Sequence, residues 1–373
     1  MDDTIKFPFY IRLSFMLISL IGITYILYMG SSVLTPILMA FLFAILLLPI
    51  VNFLNTKLRF PNVLSSTIAV FIFVSLITGI FLFVSYQVSD IADDFASIRR
   101  NIDFFIVDIQ RYIKVNFHIS FWEQRKYMEE VTEDSVQKGK DTIGTALISV
   151  TDTILDMILI PIFTFLILLY RNHFMLFLAK LFKKEDHANL QEILSQIKVS
   201  VKSYLSGLIF EMIAVSALTG IGLYFIGVKY ALLLGIITGI LNLVPYVGIL
   251  AAGVLTIVAS LTGTPDVSII LGVIIVNMVV QLIDNNILVP LIINTKVQIN
   301  AFVSIVGIIV GGQLAGIAGM FLAIPLLAIL KIIFDRIETA EPWGYLMGDN
   351  IPKTFVWRFK KKPLKNPKPT EVP

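Results

Sequence analysis

Ten apolar stretches with almost no charge run through this chain, and they leave few folds open to it. They lie at 11–29, 33–54, 63–86, 153–170, 205–226, 231–244, 247–262, 268–290, 300–312 and 314–334. Most approach or exceed the roughly 20 residues a helix needs to cross a bilayer. Backbone in hydrocarbon must pair its polar groups internally, which only helices and closed barrels achieve. A barrel would show short segments of alternating polarity, whereas these stretches are continuous. The expected fold class is all-α, a polytopic helical membrane protein. Composition agrees, with 57% of residues hydrophobic and 15% charged, against about a quarter charged in soluble domains.

Lys and Arg near the span ends set the expected orientation. Lys6 and Arg12 open the first span, and the link GSSVLTP after it carries no charge. Lys57 and Arg59 follow the second span, and Arg171, Lys180, Lys183 and Lys184 follow the fourth. Seven basic residues crowd 353–373 against one acid, Glu371. These segments fall on one side, assigned to the cytoplasm, so both termini are expected inside. No small-residue cleavage site follows a short apolar core, so the first stretch is expected to remain as a span.

The same counting puts 87–150 outside. There Ile91, Phe95, Ile98, Ile102, Phe105, Ile109 and Tyr112 recur at steps of three and four, the stripe of an amphipathic helix. It suits a vestibule or gating element, or a helix packed on its neighbours or on another subunit. A second stripe, Leu190, Ile193, Leu194, Ile197 and Val201, follows a basic apolar segment at 174–184. That mixture suits a helix braced on anionic headgroups at the inner face.

The organisation expected is N-terminal membrane helices over 1–86, an extracytoplasmic helical insert over 87–150 and a fourth span over 151–170. A cytoplasmic-face amphipathic helix follows over 171–204, then a transport core over 205–334 and a basic cytoplasmic tail over 335–373. In the core, ALLLGIITGILNLV (231–244) covers about 21 Å as a helix, short of a hydrocarbon layer of ~30 Å. Pro245 then interrupts the backbone, Gly248 follows, and a second short helix runs on. NAFVSIVGIIVGG (300–312) is also too short, and QLAG separates it from the next run. Each interrupted pair follows a full-length helix, which predicts two re-entrant hairpins in an inverted repeat, with tips near Gly248 and Gly312. Paired interruptions of this kind point to a transporter's binding site. Irregular backbone at that depth must be buried in protein or line a cavity.

Between the hairpins, Asn277, Gln281, Asp284 and Asn285 fall on one helix face. Polar side chains in a membrane stripe face the bundle interior, where they line a hydrated path or glue helices together. The expected substrate or ion pathway comprises Asn242, Pro245, Tyr246, Gly248, Asn277, Gln281, Asp284, Asn285, Gly311, Gly312 and Gln313. Asp284 and Glu211 are the candidate coupling acids, Glu211 lying about two turns into its span. Other chemistries lack their residues. There is no cysteine, and the three histidines, His118, His173 and His187, share no ligand spacing, so no metal or cofactor is expected. QKGKD (137–141) lacks the glycine and hydroxyl of a phosphate-binding loop, and no nucleophile elbow or zinc-protease motif occurs. An enzyme or an ATP-driven pump is therefore not expected. The tail WRFKKKPLKNPKP suits anionic lipid rather than nucleic acid.

YFIGVKYALLLGIITGILNLVPYVGIL (224–250) and NNILVPLIINTKVQINAFVSIVGIIVGGQLAGIAGMFLAIPLLAILK (285–331) resemble the two signature regions of the autoinducer-2 exporter family. The order of spans and the polar insert match as well. Asn294 and Ala301 depart from the family's usual Gly and Pro. The resemblance implies an inner-membrane secondary transporter, working by an elevator-like movement and assembled as a homo-oligomer, pentamers among them. Its implied cargo is a small polar solute such as the autoinducer-2 signal or, alternatively, Na⁺ or Li⁺ exchanged for protons. A non-transporting scaffold or regulator has no need of interrupted helices or a polar stripe. With no native cysteine to interfere, single-cysteine labelling tests the orientation. Glu130→Cys is expected to react with an impermeant maleimide only from outside, and Lys184→Cys only from inside; the reverse pattern rejects the assignment.

Overall fold

The computed structural model describes residues 8–93, 150–244, 247–263, 266–292 and 298–350, with scattered positions between 100 and 120. The described residues form helices and no strands. These are α1 (Phe9–Met29), α2 (Ser31–Lys57), α3 (Asn62–Asp93), α4 (Val150–Leu181), α5 (His187–Phe225), α6 (Ala231–Leu241), α7 (Val247–Ser260) and α8 (Val267–Ile283). A π-helical turn (Asp284–Leu288) leads into α9 (Val289–Ile292), followed by α10 (Ala301–Phe334) and α11 (Glu341–Met347). Among the described residues, seven helices are long and apolar enough to cross a membrane, and α6 and α7 are not. The chain is an all-α polytopic membrane protein. The stripe from Ile91 to Tyr112, as side chains, and Pro245, Tyr246 and the tail beyond 350 lie outside the described residues.

Two sequence boundaries move. The inner amphipathic stripe and the following span are one helix, α5, 39 residues long. Nothing in HANLQEILSQIKVSVKSYLSGLIFEMIAVSALTGIGLYF interrupts it, because it contains no proline. Similarly, 171–181 continues the fourth span as the last turns of α4. Helix α5 is then about 58 Å long, longer than a hydrocarbon layer, and its first turns carry the charged Lys198 and Lys202 on exposed positions.

Helices α2 and α4 run parallel, tied by Arg171 Nη1 donating to Asn52 Oδ1 at 3.2 Å. Their ends carrying Lys57 and Lys180 therefore lie on one side. With α3 they bury Ala44, Leu47, Val51, Ala69, Val70 and Leu168. A second core joins α2, α5 and α10 through Leu42, Val201, Tyr204, Leu208, Leu322 and Ile332. A third packs the end of α5 against α6, α7 and α8.

Chain reversals build the core of the molecule. Gly227, with φ +80°, turns the chain from α5 into α6, a conformation that costs a glycine little. The two helices then pack antiparallel at backbone distance. A Cβ on Gly235 would lie 2.5 Å from Ser216 O and 2.7 Å from Gly220 Cα, and one on Gly239 would strike Met212 O and Ser216 Oγ. Small-residue faces of this kind let membrane helices approach closely. Within α10, Ala315 and Gly316 leave helical geometry, Gly316 at φ +57°. The limbs on either side fold back on each other, since Gly311 meets Gly319, Gly312 meets Met320 and Gly307 meets Leu327. The turn thus falls within QLAG, three to four residues beyond Gly312.

The two reversals open toward opposite ends of α5. The α6–α7 pair begins beside the end of α5, and beyond α7 Asn101 Nδ2 donates to Leu261 O and Gly263 O at 2.7 Å each. The α10 pair ends beside the start of α5, where Arg336 pairs with Glu192 at 2.5 Å. Helix α11 closes that end. Asn300 donates through its backbone to Met347 O at 2.9 Å and through Nδ2 to Leu346 O and Gly348 O. Lys331 donates to Gly344 O at 3.1 Å. Gly235→Ala is expected to force the α5–α6 backbones apart and destabilise the protein by about 1–3 kcal/mol. Gly79→Ala, where a Cβ meets nothing within 4 Å, is the control; equal unfolding midpoints for the two in detergent would remove the close-packing argument.

Candidate ion-coupling site

The glycine register between α5 and α6 decides what lies beside Glu211. Counting toward the ends from Gly220 against Gly235 and Met212 against Gly239 brings Glu211 opposite Asn242, the residue that ends α6. Asn242 Nδ2 donates to Glu211 Oε1 at 3.0 Å and also to Asp284 Oδ2 at 3.3 Å. One amide therefore holds two acids drawn from different helices. All three side chains are buried, with Glu211 6%, Asn242 7% and Asp284 3% exposed. The other oxygens, Glu211 Oε2 and Asp284 Oδ1, have no hydrogen-bond partner among the described residues.

Local backbone explains how Asp284 reaches inward. It opens the π-helical turn that follows α8. Such turns insert a residue into the helix and recur at functional sites. The polar stripe predicted for this helix divides accordingly. Asp284 is buried, Asn277 and Gln281 are half-buried, and Asn285 is exposed. Gln281 donates to Asn285 Oδ1 at 3.0 Å, and Asn277 donates to Thr256 Oγ1 on α7 at 2.8 Å.

A cavity of about 30 Å³ adjoins the cluster, lined by Val215, Thr219, Thr238, Asn242, Asn277, Gln281 and Asp284 among others. That is room for about two water molecules, far less than a several-atom solute needs. No Lys, Arg or His forms an ion pair with Glu211 or Asp284 among the described residues. Two buried carboxyls without a basic partner must carry protons or hold a cation, because an uncompensated buried charge costs several kcal/mol. Tyr204, buried two turns before Glu211 on the same face of α5, belongs to the apolar core joining α2, α5 and α10.

Of the residues read from sequence, the fold unites Glu211, Asn242, Asn277, Gln281 and Asp284. It does not bring Gly311, Gly312 or Gln313 to the cavity; Gly311 and Gly312 serve the limb contact within α10, and Gln313 is exposed. Gly248 packs against Leu241 O at the break after α6, while Ile249 beside it reaches the cavity wall. Pro245 and Tyr246 lie outside the described residues. Sequence reading passed over Thr219 and Thr238, whose isolated hydroxyls resemble ordinary small packing residues.

A family model described as AI-2E family transporter matches residues 15–339. The chain is 25% identical over 320 residues to the Bacillus subtilis (strain 168) protein named "Putative transport protein YueF", covering 82% of this chain and 85% of that one. It is 21% identical over 348 residues to "Putative transport protein YhhT" of Escherichia coli (strain K12), covering 92% and 95%. With "Putative transport protein YrrI" of Bacillus subtilis identity is 32% over 149 residues, covering 39% of this chain and 42% of that protein. The shared amide has its own test in a double-mutant cycle on thermal unfolding. Asn242→Ala combined with Glu211→Gln is expected to show a coupling of about 0.5–3 kcal/mol, the range for residues in contact; additive effects would mean the two side chains do not interact.

Proposed function

Since this chain belongs to the AI-2E transporter family, we propose that it is a secondary transporter of the inner membrane whose coupling centre is the pair Glu211 and Asp284. The observation that carries the reading is the single Asn242 amide held between two buried acids that have no basic partner among the described residues. A carboxyl pair so placed changes occupancy whenever protons or a small cation arrive or leave. Exchange of a monovalent cation for protons uses that property directly. A scaffold has no use for it, since paired buried acids are a cost that well-packed apolar residues would avoid.

The opposed reversals of α6–α7 and α10 support the following cycle. The α6–α7 and α10 reversals act as re-entrant hairpins that open to opposite faces, the first outside and the second inside, with both termini cytoplasmic. Their tips divide the membrane's polar path near its middle, and an elevator-like movement of α5 to α10 carries the acids between the two faces. Binding of two protons, or of one proton and one monovalent cation, neutralises the pair, which lowers the cost of carrying it past the apolar walls. The exposed apolar side chains of α1 face lipid or a second copy of the chain in a homo-oligomer.

A second reading, export of a small polar solute such as the autoinducer-2 signal, is favoured by the uncharged groups Asn277, Gln281 and Asn285 on one face. It requires the cavity to open well beyond its present volume. Proteoliposomes with an internal pH indicator separate the two. Asp284→Asn and Glu211→Gln are each expected to reduce Na⁺- or Li⁺-driven proton movement to the level of empty vesicles. Solute export with the pair serving only as packing would leave the rate and pH profile of both folded variants at wild type, and that result rejects the coupling role.

A further inference from the structure

Threonine in a helix ordinarily satisfies its hydroxyl by donating to a carbonyl one turn back. Thr56, Thr67, Thr164 and Thr256 do so in this protein. Thr219 on α5 and Thr238 on α6 do not. Each Oγ1 is buried without a hydrogen-bond partner among the described residues, and the residues are 0% and 9% exposed. Both line the same cavity as Asp284, whose Oδ1 is likewise unpartnered. Glu211 does not line the cavity, but its Oε2 is a fourth buried oxygen without a partner among the described residues, and its Oε1 accepts from the lining Asn242. Buried polar atoms left unpaired destabilise a protein; three on one cavity wall, with a fourth one hydrogen bond behind it, form a pattern that apolar packing does not explain.

We infer that Thr219 and Thr238 complete an all-oxygen site with Asp284 and Glu211 for a dehydrated monovalent cation of the Na⁺ or Li⁺ type, and that the two hydroxyls are the specificity-determining groups. This rests on the coupling role given above to the acid pair. The chemistry of the donors selects the guest. Carboxylate and hydroxyl oxygens are hard ligands that suit hard cations, and the nearby amide nitrogens are already engaged, Asn242 with the acids and Asn277 with Thr256. Ligand number selects further. A calcium ion takes six to eight oxygens and magnesium demands a full octahedral shell, more donors than the four unpartnered oxygens here supply. A proton needs only a carboxyl oxygen, so the threonines have no part in proton binding; they matter only when the acids must also hold a metal ion.

The register of α5 and α6 makes this a property of the fold. Thr219 and Thr238 stand in the same antiparallel frame as Gly220 and Gly235, so the close glycine contact that seats Asn242 on Glu211 also brings the two hydroxyls to one wall. Asp284 enters from the π-helical turn opposite. The site is thus assembled from three segments, and movement of any one of them dismantles it.

Direct binding of ²²Na⁺ to the purified full-length chain, by scintillation proximity with choline as the ionic-strength control, tests the inference. The wild type is expected to bind saturably, with Li⁺ competing and Mg²⁺ or Ca²⁺ not. The Thr219→Val/Thr238→Val protein is expected to bind at least about tenfold more weakly, as removal of groups around a metal typically costs. Thr219→Ser and Thr238→Ser, which keep the hydroxyl, are expected to retain binding. Valine matches threonine in shape and removes an unpaired hydroxyl, so the unfolding midpoint in choline should hold or rise; should it fall, the serine variants and the wild type still decide. Wild-type binding in the valine protein, or no saturable Na⁺ or Li⁺ binding by the wild type, overturns the inference. Proton movement that depends on Glu211 and Asp284 without Na⁺ binding overturns this site and leaves the coupling role standing. Unaltered transport and unaltered binding in Asp284→Asn would remove both.

Discussion

Hydrocarbon offers no water to an unpaired amide, and this constraint orders the whole molecule. Wherever it can, the chain stays helical, as in the unbroken run of α5. Where it departs from helix, the departure is matched by an unusually close neighbour. The break after α6 has Gly248 against Leu241 O, and the turn in α10 is backed by Gly311 against Gly319. Side-chain polarity obeys the same logic. Asn101, Asn277 and Asn300 each donate to a specific carbonyl or hydroxyl, so their burial costs little. Among the described residues the exceptions fall in two places: Asn55, Ser65 and Ser66 where α2 meets α3, and Asp284, Thr219 and Thr238 around one small cavity, with Glu211 tied to its wall through Asn242.

That contrast is what gives the cluster functional weight. On the proposed reading, acids and hydroxyls left without a protein partner beside one cavity are arranged for an ion that comes and goes. The antiparallel contact of α5 and α6 supplies the rigidity such a site needs, because its glycines place backbone against backbone and leave no flexible side chain between. The π-helical turn at Asp284–Leu288 supplies the opposite quality, a place where helical pairing is already loosened.

Much of the fold could be read from apolar run length alone. The spans, the two interruptions and the polar face from Asn277 to Asp284 follow from local pattern. The boundary within 171–204 could not be placed, because an amphipathic stripe looks alike whether its helix ends or runs on into a span. The partnership of Glu211 with Asn242 depends on how two helices 31 residues apart in sequence slide past each other, and glycines at 220, 235 and 239 mark a close contact without naming its register. Thr219 and Thr238 escaped notice for a related reason. A helical threonine with its hydroxyl bonded backward and one with its hydroxyl unpaired have the same letter. Gly311, Gly312 and Gln313, read from sequence as part of the pathway, do not line this cavity; the two glycines serve contact between limbs.

Helix α11 deserves reading as mechanics. It is fastened to the entering limb of the α10 reversal at Asn300 and to the leaving limb at Lys331, so the two limbs are stapled together at their open end. Gly344 lets the staple lie flush, since any side chain there would strike Asp335. A pair of tongs bound at the handles cannot spread its arms from that end. The staple leaves the turn at Ala315 and Gly316 as the end free to bend, and Arg336 with Glu192 joins the bound end to the start of α5.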